Sequence, residues 1–427
     1  MKIIRRKTGL VILDENSVGD KKDMKTYKGM FDEMIKPETV AKCALDAADG
    51  KLKRKEVIRA FTDFEKTYRT VVACAKDPAY KPCEDNTHEI IDGANNKPRE
   101  IEKPKFCPEQ ILHHMIVEPF KKVLLNGLYE EVYGCLPPLT KRMPDGKIKT
   151  VKKFGPHAAI KRLVKWIQTG KKCYIGEADV HHAYKSVNID ILLIQLERRI
   201  KDDEWIRLTK QFLYHGKEQG LILGHYTSPW LFNYYMKNFD HFAAALDGVK
   251  YLRYADNIYI VGTNKRKVHR AMMAMSEYLE SELAMTLNKS WQVYRFEYGT
   301  GKFDENGKEI TRGRAVNALG AVIHHNRVTL RKSILLRMRR KSLRIGHKEK
   351  VTWHDGSSMF SRLSWVRKTN TYQYYKKYIK PNINTRQLKR KVRNHSKASL
   401  QIAEKRRTIV YDGLEEGLQR ICTGRNG

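Results

Sequence analysis

The sequence has no uninterrupted apolar run long enough to span a bilayer and no Cys-x-x-Cys pair. The first absence argues against a membrane-embedded protein. The start, MKIIRRK, also lacks the apolar core of a signal peptide, so a cytoplasmic protein is expected. The seven cysteines are scattered and odd in number, which argues against a disulfide framework or a zinc site and for a reducing compartment. Acidic residues are scarce: 48 Asp and Glu face 83 Lys and Arg, a formal net charge of +35. So many uncompensated cations repel one another unless a polyanion is bound. Nucleic acid is therefore the expected partner, with an anionic membrane surface as the second choice. Composition is not low-complexity and no repeat is visible, and 427 residues allow about two to four folded domains.

Residues 1–30 are polar with little periodicity and read as an arm, flexible or ordered by a partner. Helical spacing predicts two helices over 38–75, a loop over 76–97, a short extended piece over 99–105 and a helix over 109–125. A Pro/Gly/Lys-rich loop is expected over 133–153, then a helix over 156–167 and a strand over 173–180. Helices follow over 189–200, 204–214 and, as one long element, 228–246. An amphipathic helix over 265–283 and a hairpin over 317–330 complete this part, and from Arg331 the composition shifts sharply toward Lys and Arg.

Two segments carry chemistry. Residues 252–262 read LRYADNIYIVG: two apolar strands around a turn placed at Asp256-Asn257, which sets polar side chains on a rigid tip. Residues 176–188 read GEADVHHAYKSVN, a strand ending at Asp179 with an aromatic residue five positions later. Two carboxylates on adjacent strand ends, Asp179 and Asp256, supply the hard oxygen ligands that Mg²⁺ requires for two-metal phosphoryl transfer.

Asp179-Val-His-His-Ala-Tyr184, Gly224-His-Tyr-Thr-Ser-Pro229 and Tyr254-Ala-Asp-Asn257, in that order and spacing, resemble three polymerase motifs of reverse transcriptases. Weaker echoes are Arg99-Glu-Ile, Gly155-Pro-His-Ala-Ala-Ile160, Leu287-Asn-Lys289 and Leu330-Arg-Lys-Ser333. Within that family the chain is most similar to enzymes of diversity-generating retroelements and related prokaryotic, phage and defence-associated enzymes. The resemblance implies an α+β right-hand polymerase fold: an N-terminal arm and helical region (1–95), fingers (96–172), a palm with an antiparallel sheet (173–330) and a basic helical thumb with a tail (331–427). It implies RNA-directed DNA synthesis from dNTPs on an RNA template, with a DNA product and Mg²⁺ (or Mn²⁺) as cofactor. An accessory subunit or self-association would be compatible with it; a membrane would not.

The resemblance also distributes roles. Asp179, Asp256 and the Val180 main chain would hold metal, and Lys289 would protonate pyrophosphate. Tyr184 would be the sugar gate that excludes a 2′-hydroxyl. Leu223 and Gly224 would contact the nucleotide. Leu223 stands where many relatives carry a hydrogen-bonding Gln, so discrimination would rest on shape. Lys97, Arg99 and Lys103 would grip the triphosphate, although Gln110 replaces an Arg usual in the fingers. Asn257 stands where the family has a second Asp. Three readings stay open: the two remaining carboxylates suffice, the exchange was introduced to trap a complex, or the enzyme is weakened. Arg337, Arg340, Arg344, Trp365, Tyr375 and Lys377 belong to a stretch where cations alternate with aromatics, as suits a thumb tracking a template–primer duplex. A scaffold that binds RNA without catalysis is the alternative, kept open by Asn257.

Overall fold

The computed structural model describes residues 3–6, 9–12, 25–83, 86–91, 98–142, 148–214, 220–307 and 309–423. The arm contains two short antiparallel strands, β1 (Ile3–Arg6) and β2 (Gly9–Ile12), where no regular structure was expected. Helices α1 (Met30–Met34), α2 (Pro37–Ala48), α3 (Lys55–Thr62) and α4 (Phe64–Lys76) follow. The single second helix expected here is split at Asp63, whose carboxylate accepts a hydrogen bond from the Lys66 N–H and starts α4 afresh. The loop expected before residue 98 holds a strand, β3 (Asn86–Ile91), paired with β4 (Pro98–Lys103).

A kinked turn over Phe106–Gln110, extended at Cys107, leads into α5 (Ile111–Leu125), and the Lys-rich loop is a second hairpin, β5 (Leu139–Arg142) with β6 (Ile148–Lys152). Next come α6 (Pro156–Ile167), β7 (Tyr174–Asp179), α7 (Ile189–Arg199) and α8 (Asp203–Leu213). The long helix expected over 228–246 is two helices, α9 (Ser228–Tyr235) and α10 (Lys237–Ala245), with Met236 at the joint. Strands β8 (Val249–Tyr254) and β9 (Asn257–Gly262) form the central hairpin, and α11 (Lys265–Leu283) runs over the span its pattern predicts. Strand β10 (Gln292–Arg295) is followed by an unexpected projecting hairpin, β11 (Tyr298–Phe303) with β12 (Glu309–Arg312). The hairpin expected over 317–330 gains a strand: β13 (Val316–Ala318), β14 (Ala321–Ile323) and β15 (Val328–Leu330) make a three-stranded sheet. The basic region is helical: α12 (Lys332–Gly346), α13 (Trp353–Val366), α14 (Tyr372–Tyr378) and the 39-residue α15 (Thr385–Thr423).

The central antiparallel sheet has the order β10-β7-β9-β8. Strand β9, inside the sheet, is covered on both faces and reads as a nearly continuous apolar run. Along β9 the alternation is visible in the packing. Ile258 and Ile260 join a large core with α5 and α7–α11, while Tyr259 and Val261 join a second core with α6 and β13–β14. A third core lies among α12, α13 and the start of α15, and Trp365 packs against both it and the second core. Among the described residues no helix is long and apolar enough to cross a membrane.

Candidate active site

Strands β7 and β9 pair in a register that sets Asp179 opposite Asn257, and the Val180 N–H donates to the Asp256 carbonyl at 3.1 Å. The turn consists of Ala255 and Asp256, one residue earlier than expected. Asn257 is the first residue of β9, paired with Tyr254, and Ala255 takes a left-handed φ of 53°. Both carboxylates therefore stand at neighbouring strand ends. Each receives an amide: Asn288 Nδ2 donates to Asp179 Oδ2, and Asn257 Nδ2 donates to Asp256 Oδ1 at 2.8 Å. The Asn288 N–H also donates to the Asp179 carbonyl at 2.8 Å.

The turn is held from beneath by buried charge. Arg253, wholly inaccessible, forms a two-pronged pair with the equally buried Asp240 at 2.7 and 2.6 Å, and Tyr251 donates to the same carboxylate at 2.7 Å. The third guanidinium nitrogen donates to the Ala255 carbonyl at 3.0 Å, fixing the turn itself. From the side, residues 131–134 run alongside β8: the Arg253 N–H donates to Glu131 and the Tyr133 N–H to Arg253, both through main-chain oxygens. Gly134 approaches so closely that a Cβ there would lie 2.2 Å from the Ala255 nitrogen. Only glycine fits.

Next to the turn is a cleft of about 580 Å³ lined by Cys135, Pro137, Tyr184, Leu223, Gly224 and Trp230, among others. It brings together the three residues expected at the sugar gate and the nucleotide contact. Tyr184 stacks on Phe232 at 5.1 Å, with the Cys135 thiol beside its hydroxyl, and burial raises the Tyr184 pKa. Gly224 has φ 110°, and a Cβ there would lie 2.0 Å from the Glu102 carbonyl. The Glu102 N–H in turn donates to Leu223 at 2.9 Å, so β4 docks on this loop. Arg99 and Lys103 are exposed on that strand; Lys97 lies outside the described residues. Gln110 is occupied locally, donating to the Pro104 carbonyl and accepting from Lys51. Lys289 is exposed and follows Asn288 directly.

The two carboxylates suit a hard divalent cation by their chemistry, and their adjacency allows a shared one. Among the described residues no group of three or more His, Cys, Asp or Glu side chains is placed to hold a metal, so other ligands would have to be main-chain or substrate oxygens. Sequence reasoning missed Asn288, Cys135 and the Arg253–Asp240 pair. The Leu287-Asn-Lys289 echo was visible, but only the lysine in it was given a role.

In the C-terminal region Arg340 and Arg344 are exposed on α12, at the spacing of one face with the half-buried Arg337, whose side chain donates to the Ser333 carbonyl. Lys377 is exposed, whereas Tyr375 is half-buried in the third core. Trp365 is half-buried between the two smaller cores, with the His157 ring 4.1 Å away.

Residues 143–323 match the model of the reverse transcriptase (RNA-dependent DNA polymerase) family. This part of the chain is thus a reverse transcriptase domain, and it contains the central sheet. No curated protein matches the chain. Among solved structures, an apo telomerase from Candida tropicalis, truncated from its C-terminal domain, is 12% identical over 58% of this chain, with a TM-score of 0.37. A Candida albicans telomerase in complex with a TWJ fragment of telomeric RNA is 9% identical over 86%, with a TM-score of 0.40. The chain spans 55% and 65% of the length of these two proteins.

Proposed function

We propose that the chain extends a primer 3′-hydroxyl with dNTPs along an RNA template, with Asp179, Asp256 and the Val180 carbonyl as metal ligands. The observation that carries this reading is the meeting of Asp179 and Asp256 at adjacent strand ends beside the Tyr184–Leu223–Gly224 cleft. Mg²⁺ bound there would supply Lewis acidity for the attacking hydroxyl and offset charge on the departing pyrophosphate. The protein groups do the rest. Tyr184 closes the sugar end of the cleft, and Leu223 shapes its floor without a polar contact. Lys97, Arg99 and Lys103 grip the triphosphate, and Lys289 is the proton donor to pyrophosphate. Asn257 orients the Asp256 carboxylate by the amide bond it donates. Arg337, Arg340, Arg344, Trp365, Tyr375 and Lys377 form the duplex-facing side of a thumb spanning 331–427, beside a palm of 173–330, fingers of 96–172 and an N-terminal region of 1–95. The setting we propose is the cytoplasm of a prokaryote or a phage-infected cell, on a dedicated RNA, serving a diversity-generating element or antiviral defence with an accessory subunit.

The test is Asp256→Ala, assayed by dNTP incorporation on a primed RNA with added Mg²⁺. Incorporation should fall below detection while the thermal midpoint stays close to that of the wild type. Undiminished incorporation would remove the proposed site. One observation favours a second reading, a weakened enzyme or an RNA-binding scaffold: the Asn257 amide donates to the carboxylate where a second Asp would add charge. Wild-type RNA binding without incorporation, unrescued by Asn257→Asp, would establish that reading instead.

A further inference from the structure

The last helix is anchored at both ends on different parts of the molecule. Near its start, Leu388 is buried in the third core, the α13 residue Gly356 lies against Val392, and the His395 ring stacks on Trp353 at 3.7 Å. Near its end, Val410 and Leu414 are buried in the large core, and Arg406 donates to the Leu52 carbonyl. The contact there is as close as backbone allows. A Cβ on Gly413 would lie 2.2 Å from the Phe61 carbonyl oxygen, and one on Gly417 would lie 2.8 Å from the Phe64 Cβ. Small residues at both positions let α15 lie directly on α3 and α4.

Between His395 and Arg406 every described side chain is exposed. This stretch spans about 15 Å of helix between the two anchored ends. Its charge is one-sided. From Arg386 to Arg407 the sequence has nine Lys and Arg and one acid, Glu404. The contacts also run in a closed circuit: α15 touches α2, α3 and α4; α2 touches α5; α5 touches α9; α9 touches α10; and α10 touches β8 of the palm. The palm leads through β15 and α12 to α13, which touches α15 again.

We infer that α15 is a basic strut closing a ring, and that the nucleic acid bound by this protein passes through that ring and touches the strut with its phosphates. The inference rests on the polymerase reading for the placement of the duplex, but its test does not require catalysis. The full chain is mixed with a biotin-ended primer–template, and streptavidin is added to both ends either before or after the protein. Blocking first should slow association at least tenfold, and blocking afterwards should slow dissociation at least tenfold. Equal rates in both orders would overturn the ring.

The variant Gly413→Val/Gly417→Val should abolish the order effect while single-nucleotide addition stays within twofold of the wild type. An order effect that survives in this variant would show that α15 is not the closure. A second variant, Lys397→Glu/Lys405→Glu/Arg407→Glu, leaves the latch intact. The slope of log affinity against log salt should fall by about 0.9 for each phosphate that the strut no longer neutralises. An unchanged slope would remove the strut from the nucleic-acid surface. If the wild type adds no nucleotide at all, the polymerase reading fails on its own, while the two association rates still decide the ring.

Discussion

Arg253 and Arg344 carry the same guanidinium under opposite conditions. Arg253 is sealed beneath the turn that bears Asp256, with its charge met by Asp240 and its spare donor by the Ala255 carbonyl. Arg344 stands exposed on α12, in a region where cations far outnumber acids. A guanidinium locked in a dry fork fixes geometry, whereas one left in water stores charge for a polyanion that arrives later. Around the Ala255–Asp256 turn the charge is neutralised internally to hold a site in place, whereas in the C-terminal region only a few cations, Lys341 and Lys348 on Asp355 among them, are met by acids.

The largest expected effect comes from breaking the buried pair. Asp240→Ala leaves Arg253 charged, buried and unpartnered, and such removals cost about 3–5 kcal/mol. Urea unfolding should show a loss of that size, with dNTP incorporation falling as well because the Ala255–Asp256 turn loses its support. A loss below about 1 kcal/mol would mean that the pair does not hold the hairpin.

The next effect concerns protons. His114 stacks on Tyr226 with ring centres 3.7 Å apart, and burial, reinforced by Lys51 and Lys121, lowers its pKa to about 4 from an ordinary 6.5. Between those values the unfolded chain takes up a proton that the folded chain refuses, so stability falls as pH drops from 6.5 toward 4. At pH 5 the expected contribution is about 2 kcal/mol. His114→Phe keeps the stack and removes the proton, so its stability loss from pH 7 to pH 5 should be smaller than that of the wild type by this amount. Equal losses would place the acid sensitivity elsewhere.

How far the sequence could be read follows the same division between local and distant causes. The helix over Lys265–Leu283 was legible to the residue because its apolar face repeats at 3.6 and Asn264 caps it, accepting from the Arg266 and Lys267 N–H groups. The nearness of Asp179 and Asp256 was legible because Asp179 ends one strand and Asp256 lies in the tight turn after another. Of the hairpin at 86–103 only the extended piece at 99–105 was legible, and those at 139–152 and 298–312 were not, since their strands are largely polar. The joint at Met236 was missed because neither Pro nor Gly marks it. Asn288 reaches Asp179 across 109 residues, a contact no local pattern encodes. The return of α15 to the N-terminal helices was hidden for the same reason.

A smaller effect is expected at the proposed sugar gate, where the Cys135 thiol lies beside the Tyr184 hydroxyl. A net hydrogen bond contributes about 1 kcal/mol, so Cys135→Ala should lower the preference for dNTP over rNTP about fivefold in kcat/KM. Cys135→Ser, which can still bond the hydroxyl, should restore most of it. An unchanged preference in the alanine variant would show that Phe232 alone positions the ring.

The smallest effect on folding, and the sharpest contrast with Asp240, is expected from Arg340→Ala and Arg344→Ala. Both side chains are exposed, so each substitution should change stability by no more than about 0.5 kcal/mol. Their contribution should appear only with nucleic acid present, as a fall of about 0.9 in the salt slope for each arginine that contacts a phosphate. The loss should be uniform across sequences, since a phosphate contact carries no base information. If either variant instead unfolds more easily and binds with an unchanged slope, that arginine belongs with Arg253 as a structural cation, and the division between the two regions would have to be redrawn along α12.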